Sequence, residues 1–292
     1  MAQAEEARAR LCAAHGWDVG VVELVPVIAS GDKIQDRPLA DIGGKALWTR
    51  ELDLWLAEGR IDASVHSMKD VETIRPDEIA FGAILPRADK ADVLLGAASI
   101  AAIAKGAKVG TSAPRRAAQL LHARPDVEVV GIRGNVATRM AKLAAGEVDA
   151  TFLAGAGLLR LGEDGVGVRL DPEAWFPAPA QAAIGMECRT SDERTAEVLS
   201  AIDDAPSRQE VMAERALLEG LGGTCHSPIA VLTNRSGDMI EMRAQIFSPD
   251  GAHRVEGEAH FDPDDTAAAI ALAHDLLARA PEAVAINFGQ SL

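Results

Sequence analysis

The chain of 292 residues contains no tyrosine, and aromatic side chains of all kinds make up only 3% of it. This scarcity argues against the aromatic stacking platforms that bind single-stranded nucleic acids or sugars. Basic residues are also in the minority, because 29 Lys and Arg face 44 Asp and Glu, for a formal net charge of −15. We therefore expect neither nucleic acid nor an anionic membrane surface as a partner.

Long apolar runs and a disulfide framework are missing too. No stretch approaches the roughly 20 consecutive apolar residues of a membrane-spanning helix. The first residues include Glu5 and Glu6, where a secretory signal carries Lys or Arg before an apolar run. Cys12, Cys188 and Cys225 are odd in number, widely spaced and without a CxxC pair. The sequence therefore predicts a cytoplasmic protein with reduced thiols and no metal site.

Strand-like and helix-like patterns alternate along the chain, which predicts an α/β fold with a mostly parallel sheet. Up to residue 200 we expect helices over 2–14, 45–59, 113–122, 136–145 and 156–161, and strands over 21–28, 61–65, 79–85, 108–110, 127–132, 150–153 and 184–188. The pattern then changes and predicts a small α+β domain. Its expected elements are helices over 208–220 and 265–279, strands over 229–232, 240–247 and 254–261, and a final strand.

Two predicted strand-to-helix transitions carry arginines. In Val-Gly-Thr-Ser-Ala-Pro-Arg-Arg at 109–116, the hydroxyls of Thr111 and Ser112 lie at the predicted helix N-cap. In Ile-Arg-Gly-Asn-Val-Ala-Thr-Arg at 132–139, Asn135 is the predicted N-cap. Helix N-termini attract anions, and guanidinium groups bind carboxylates bidentately. In a parallel sheet both transitions lie at the carboxyl edge and predict a polyanion site, while any one arginine is equally compatible with a salt bridge to a nearby acid.

Two further segments carry reactive side chains. Val-His-Ser-Met-Lys-Asp at 65–70 follows a predicted strand. Its Lys-Asp pair fits either an exposed ion pair or a carboxylate that faces a developing cation. Leu-Gly-Gly-Thr-Cys-His-Ser-Pro at 221–228 predicts a tight loop with Cys225 at its tip. A thiol in that place is either a small inert side chain or the attachment point of a covalent group.

Together these segments carry a resemblance to a known family. The matching residues occur in the family's order and spacing over nearly the whole chain. They are Asp-Ile-Gly-Gly-Lys at 41–45, the segment 65–70, Val-Gly-Thr-Ser at 109–112 with Arg115 and Arg116, Arg-Gly-Asn at 133–135 with Thr138 and Arg139, and Gly-Gly-Thr-Cys at 222–225 with Pro228. On these residues the chain resembles the porphobilinogen deaminase (hydroxymethylbilane synthase) family. The joint match is highly specific, although no single motif is.

The resemblance implies three domains, of which two are periplasmic-binding-protein-like α/β lobes and the third is a small α+β C-terminal domain. The implied bounds are 1–86 with 183–200 for domain 1, 89–178 for domain 2, and 204–292 for domain 3, which holds the cysteine loop. The family normally begins with a strand and a loop that bear an Arg and a Ser. Because Met1 falls inside the helix that follows, we expect domain 1 to lack its first strand.

The resemblance implies a transferase of tetrapyrrole and heme biosynthesis. Four porphobilinogen molecules lose ammonia and are joined head to tail onto a dipyrromethane cofactor, which is attached to Cys225 through a thioether. Hydrolysis then releases hydroxymethylbilane. Porphobilinogen and linear pyrrole intermediates are the expected partners of a cytoplasmic monomer. Two alternatives remain open, namely a non-catalytic two-lobe carboxylate-binding protein and an inactive, N-terminally truncated homologue.

The resemblance also assigns residue roles. Asp70 is the implied catalytic carboxylate, which lies against the pyrrole N–H and stabilises the cation left by departing ammonia. The implied cofactor ligands are the covalent Cys225 with Lys45, Ser67, Lys69, Thr111, Ser112, Arg115, Arg116, Arg133 and Gln181. The implied substrate ligands are Trp48, Arg133 and Arg139. No residue is assigned to a metal.

Four residues depart from the family pattern. Ala113 replaces a hydroxyl residue of a Thr-Ser-Ser motif and removes one donor. Ala180 and Ala182 replace the glycines of Gly-Gln-Gly, so we expect the hinge to lose glycine's conformational freedom. Thr224 replaces the glycine before the cysteine, a change that we expect to be tolerated.

Overall fold

A computed structural model describes residues 1–27, 49–163 and 165–289 of the chain. The chain folds into two compact units. The first consists of residues 1–88 and 182–211, and the second of residues 89–181 and 212–292. The backbone therefore passes between the units after residues 88, 181 and 211.

A three-stranded antiparallel sheet forms the centre of the first unit. Its strands are β1 (Ala63–Ser67), β2 (Ile79–Ile84) and β8 (Ile184–Arg189), in the order β1-β8-β2. The helices of this unit are α1 (Ala2–His15), α2 (Arg50–Ala57) and α6 (Glu193–Ser200). The core between them is aliphatic, with Leu11, Leu85, Ile184, Met186 and Leu199 among its buried members.

One strand predicted for this unit is wrong. The apolar run at 21–28 predicts a strand, but a 3-10 turn covers Val19–Val21 and residues 22–27 form no strand. Pro26 lacks the backbone N–H that a strand ladder needs, which explains the difference. Residue 28 lies outside the described ranges. Of the helix predicted over 45–59, the described part contains α2, which buries Leu56.

The second unit contains a five-stranded sheet in the order β5-β4-β6-β3-β7. Its strands are β3 (Asp92–Leu95), β4 (Lys108–Gly110), β5 (Glu128–Val130), β6 (Ala150–Ala154) and β7 (Val168–Arg169). Helices α3 (Pro114–Ala123), α4 (Val136–Ala144) and α5 (Gly155–Arg160) follow β4, β5 and β6.

Only one side of this sheet, β5-β4-β6, is parallel. β4 runs parallel to β5 and β6, whereas β3 is antiparallel to β6 and β7. The prediction of a mostly parallel sheet is thus correct for three strands and wrong for the others. The parallel strands are connected through α3 and α4, as parallel crossovers require, while β3 reaches β4 without a helix.

The same unit ends in a three-stranded antiparallel sheet in the order β11-β10-β9. Helix α7 (Ala205–Gly220) belongs to the first unit up to Val211 and to the second from Met212. The elements that follow it are β9 (Ile229–Ser236), β10 (Met239–Phe247), β11 (Arg254–Phe261), α8 (Thr266–Arg279) and α9 (Glu282–Ala285). The predicted final strand is wrong, because α9 occupies its place after Pro281. The α/β fold class with a small α+β part at the C-terminus is confirmed. The three-domain division with the bounds given above stays a prediction.

Among the described helices, none combines the length and the apolar character that crossing a bilayer demands. None of the three cysteines, all within the described residues, forms a disulfide bond.

Candidate active site

The end of β1 and the turn that follows it carry three predicted site residues: Ser67 is the last residue of the strand, and Lys69 and Asp70 lie in the turn. Between them, Met68 is buried and donates its backbone N–H to the Ala183 carbonyl at 3.0 Å. The Met68 side chain packs against Gly185 on β8. A Cβ atom added at Gly185 would lie 2.1 Å from Met68 Sδ. Met68 therefore anchors the turn, and the side chains of Lys69 and Asp70 are only half-buried.

A buried ionic network lies next to this turn and was not predicted from the sequence. Glu187 on β8 accepts hydrogen bonds from Arg75 at 2.7 and 2.9 Å, and its Oε2 lies 3.1 Å from His66 Nε2. Arg75 also pairs with Asp53 at 2.6 Å. Burial raises the pKa of Glu187, but the hydrogen bonds from His66 and Arg75 outweigh it and leave this pKa below its usual value. The network ties β1 to β8 immediately before the turn that holds Asp70.

In the second unit, the two predicted strand-to-helix transitions lie side by side. β4 and β5 are parallel neighbours, with Gly110 opposite Val130. Both carboxyl ends therefore lie at one edge of the sheet, as predicted. The hydroxyl of Ser112 donates to the Ile132 carbonyl at 2.6 Å and connects the two transitions directly.

The two helix starts differ in their capping. Asn135 caps α4 as predicted, because its side chain accepts from the Thr138 N–H at 3.0 Å. The N-cap of α3 is Ala113, and it supplies no side-chain cap. The expectation that Thr111 and Ser112 occupy this position is corrected: Thr111 Oγ1 accepts only the Ala113 N–H, at 3.2 Å, one residue before the helix.

This difference predicts that Ala113→Ser stabilises the protein. A serine N-cap typically contributes about 1 kcal/mol relative to alanine, because its hydroxyl accepts an otherwise unpaired N–H of the first helical turn. Urea unfolding should therefore move to higher denaturant concentration. Ala123→Ser, at the exposed last residue of the same helix, is the matched control and should give no gain. Equal effects of the two variants would contradict the capping argument.

Arg115 and Arg116 lie inside the second unit, at only 4% and 5% exposure. Asp92, at the start of β3, accepts from Arg115 Nη1 at 2.6 Å and from Arg116 Nη2 at 2.7 Å. Burial raises the pKa of Asp92, but the two guanidinium groups outweigh it and hold this pKa far below its usual range. Both arginines thus form the salt bridge to an acid that the sequence left open as an alternative. Their role as cofactor ligands stays a prediction.

Gln181 belongs to the same cluster. Its amide Nε2 donates to Asp92 Oδ1 at 2.9 Å, and its Oε1 accepts from Arg115 Nη2 at 3.1 Å. The indole of Trp175 donates to Asp92 Oδ2 at 3.0 Å. Asp92 is the shared acceptor of this cluster, and no local sequence signal singled it out.

Arg133 and Arg139 flank the start of α4 and are half-buried. Arg139 Nε donates to the Gly134 carbonyl at 2.9 Å. Gly134 has φ 108°, and an added Cβ would lie 2.5 Å from Thr138 Cγ2, so this turn requires glycine. Both arginines thus stand at a helix N-terminus, as the sequence predicts.

Cys225 lies at the tip of the loop between α7 and β9 and is exposed. The loop is held by the Thr224 N–H, which donates to Ser227 Oγ at 3.0 Å, and by the Thr224 hydroxyl, which accepts from the His226 N–H at 3.2 Å. Thr224 has no positive φ, so the replacement of glycine is accommodated. Cys188, by contrast, is buried in β8, and burial raises the pKa of its thiol.

Ala180 and Ala182 have φ values of 56° and 70° and are the two non-glycine residues in the described ranges with positive φ. The backbone therefore keeps the conformation that glycine favours although both residues are alanine. A left-handed alanine costs about 1–2 kcal/mol.

The remaining predicted residues, Lys45 and Trp48, lie outside the described residues. Asp70 belongs to the first unit, and Arg115, Arg133, Arg139 and Cys225 belong to the second. Within the described part of the chain, no group of three or more His, Cys, Asp or Glu side chains suits a metal ion.

The second unit also offers what a covalently attached polyacid requires. The exposed thiol is available for a thioether, while Arg115 Nε is buried without a hydrogen-bond partner. An unpartnered buried guanidinium N–H is a donor left over for an anionic ligand. A separate cleft of about 300 Å³ contains no predicted site residue, and its acids outnumber its bases. It is lined by Glu173, Asn234, Glu241, Arg243, Glu258 and His260.

Comparison with known families accounts for most of the chain. Residues 1–197 match the family model "Porphobilinogen deaminase, dipyromethane cofactor binding domain", and residues 208–279 match "Porphobilinogen deaminase, C-terminal domain". The class of protein is therefore a transferase that carries a dipyrromethane cofactor. The chain belongs to the porphobilinogen deaminase family.

Curated relatives agree. The porphobilinogen deaminase of Sphingopyxis alaskensis is 52% identical over 290 residues, which cover 97% of this chain and 91% of the relative. That of Paracoccus denitrificans is 45% identical over 285 residues, which cover 96% and 91%. The family resemblance stated from the sequence is thus confirmed.

Solved structures that align with part of this chain include periplasmic domains. The VFT2 domain of Bordetella pertussis BvgS aligns with TM-score 0.40 and 17% identity, over 70% of this chain and 82% of that one. An arginine-specific periplasmic binding protein of Salmonella typhimurium aligns with TM-score 0.38 and 13% identity, over 71% and 86%.

Proposed function

We propose that this chain condenses four porphobilinogen molecules stepwise, with loss of ammonia, and releases hydroxymethylbilane by hydrolysis. The family membership carries the proposal, since its cofactor-binding domain spans residues 1–197. Cys225 is the proposed covalent anchor, because its thiol is exposed on a loop that an internal hydrogen bond stabilises. When bound, the dipyrromethane supplies the pyrrole carbon to which the first substrate is joined. The absence of a disulfide among the three cysteines supports a reducing cytoplasm as the proposed compartment, in which we expect a monomer.

The proposed site residues fall into groups that bind the substrate, bind the cofactor or stabilise the developing cation. Each porphobilinogen brings an acetate and a propionate, so Arg133 and Arg139 balance carboxylates of the substrate. The carboxylates of the cofactor are held by Lys45, Lys69, Arg115, Arg116, Arg133, Gln181 and the hydroxyls of Ser67, Thr111 and Ser112. Trp48 packs near the pyrrole rings. Asp70 places a carboxylate against the cation that forms on the substrate when ammonia leaves.

The anchoring claim predicts a mass change confined to one cysteine. Intact-mass measurement of the purified protein should show one added dipyrromethane, and Cys225→Ser should lack it. Cys188→Ala, which changes the buried thiol, is the control and should retain the added mass. Ammonia release from porphobilinogen should accompany the modified protein only. An unmodified Cys225 in protein that still forms product would overturn the assignment, and carboxylate binding without ammonia release would favour a binding protein instead.

A further inference from the structure

A buried series of contacts connects helix α7 to the arginine cluster of the second unit. Glu214 on α7 has 0% exposure, and its Oε2 accepts the Ala180 N–H at 2.6 Å. Ala180 is one of the two alanines with positive φ. Alanine rarely adopts this conformation unaided, so a short, buried hydrogen bond to its amide helps to fix it.

The next residue, Gln181, links the backbone position of Ala180 to the arginine cluster through its side-chain hydrogen bonds. Its Nε2 donates to the Lys90 carbonyl at 2.6 Å and to Asp92 Oδ1 at 2.9 Å, while its Oε1 accepts from Arg115. Because both ends of this amide are used, it has one productive orientation. Asp92 in turn receives Arg115 and Arg116. A shift of the backbone at Ala180 therefore changes where the two guanidinium groups lie.

We propose that Glu214 is a positioning residue for Arg115 and Arg116, acting through Ala180, Gln181 and Asp92. The importance of the arginines rests on the proposed function, whereas the chain of contacts does not. Helix α7 ends at Gly220, shortly before the loop with Cys225. Glu214 thus connects the element that leads to the thiol with the element that holds the arginines.

The proposed role of Glu214 requires a side chain long enough to contact the Ala180 N–H, more than it requires a negative charge. Glu214→Asp keeps the carboxylate but shortens the side chain by one bond, about 1.5 Å, so the contact with the Ala180 N–H is lost. Glu214→Gln keeps both the length and an acceptor oxygen and loses the charge. Positioning predicts that Asp disturbs the arginine cluster and Gln does not. A purely electrostatic role predicts the reverse order.

The Trp175 indole reports on the cluster because it donates to Asp92. In protein labelled with ¹⁵N-tryptophan, the four tryptophans give four indole signals, and Trp175→Phe identifies the relevant one. We expect its signal to shift in Glu214→Asp and to keep the wild-type position in Glu214→Gln. Glu219→Asp, an exposed residue of the same helix, is the matched control and should leave all four signals in place.

A rescue separates positioning from general destabilisation. Glycine adopts positive φ readily, so Ala180→Gly should reduce the dependence on Glu214. We expect the double variant Glu214→Asp/Ala180→Gly to recover the Trp175 signal and to remain folded even if the single variant does not. An unshifted Trp175 signal in folded Glu214→Asp, or a double variant that recovers nothing, would overturn the proposal.

Function provides a second readout. The rate of dipyrromethane attachment, followed by intact mass, should fall about tenfold in Glu214→Asp and stay near wild type in Glu214→Gln, because misplacement of about 1 Å costs up to 10²-fold. A reversed order would overturn the proposal. If wild-type protein acquires no dipyrromethane, the proposed function fails, while the indole signals still decide the role of Glu214.

Discussion

Replacing Asp70 with alanine is expected to lower kcat by about 10²–10³ without unfolding the protein, because a pre-placed charge opposite a developing ion contributes on that order. Asp70 lies in the turn that Met68 anchors, and its side chain is half-buried. In the proposed role, the carboxylate stabilises the substrate cation that ammonia leaves behind, so its loss should slow each condensation. Asp70→Asn, which keeps the shape, should be almost as slow.

The measurement is ammonia release from porphobilinogen by protein whose dipyrromethane is already attached. Asp77→Asn, an exposed carboxylate of the same unit, is the matched control and should turn over normally. Thermal melting of all variants shows whether the fold is kept. Near-normal turnover by folded Asp70→Ala would refute the assigned role.

Replacing Asp92 with asparagine is expected to lower the free energy of unfolding by about 3–5 kcal/mol, because it leaves two buried guanidinium groups without their counter-charge. The side chains involved are between 0% and 6% exposed. Asp89→Asn is the matched control, since Asp89 pairs with Arg169 at the surface, where such a pair contributes about 0–1 kcal/mol. Urea unfolding of both variants measures the difference, and equal losses would contradict the argument.

The Asp92 substitution also has a pH dependence of defined sign. The pKa of Asp92 is lowered in the folded state, so its ionised form contributes stability above the unfolded pKa of about 3.9. This contribution is lost as the pH falls below about 5 towards the folded pKa. The stability difference between wild type and Asp92→Asn should therefore shrink between pH 7 and pH 3. A difference that grows in acid would contradict the assigned pairing.

The sequence predicted those features of the site that depend on interactions between residues close together in the chain. Asn135 is a helix cap and Cys225 a loop tip, because turn and capping preferences act over a few residues. The neighbouring carboxyl ends of β4 and β5 followed from the alternation of strands and helices. The roles of Asp70, Arg133 and Arg139 came from the family resemblance and stay predictions.

What the sequence did not predict depends on partners far apart in the chain. Asp92 meets Arg115, Gln181 and Trp175, and nothing near residue 92 signals those contacts. Glu214 contacts the backbone of Ala180, whose left-handed conformation was not expected of alanine. The expectation of a mostly parallel sheet failed at β3 for the same reason, because the antiparallel pairing of β3 with β6 is decided by tertiary contacts.

The left-handed alanines on either side of Gln181 also bear on how much further sequence change the protein tolerates. Together they cost about 2–4 kcal/mol, against a typical net stability of about 5–15 kcal/mol. Because this cost lowers the free energy of unfolding, fewer additional destabilising substitutions bring the protein below its stability threshold. Replacing both alanines with glycine would widen the range of later substitutions that the protein accepts, which makes positions 180 and 182 sensible first changes before any programme of directed evolution.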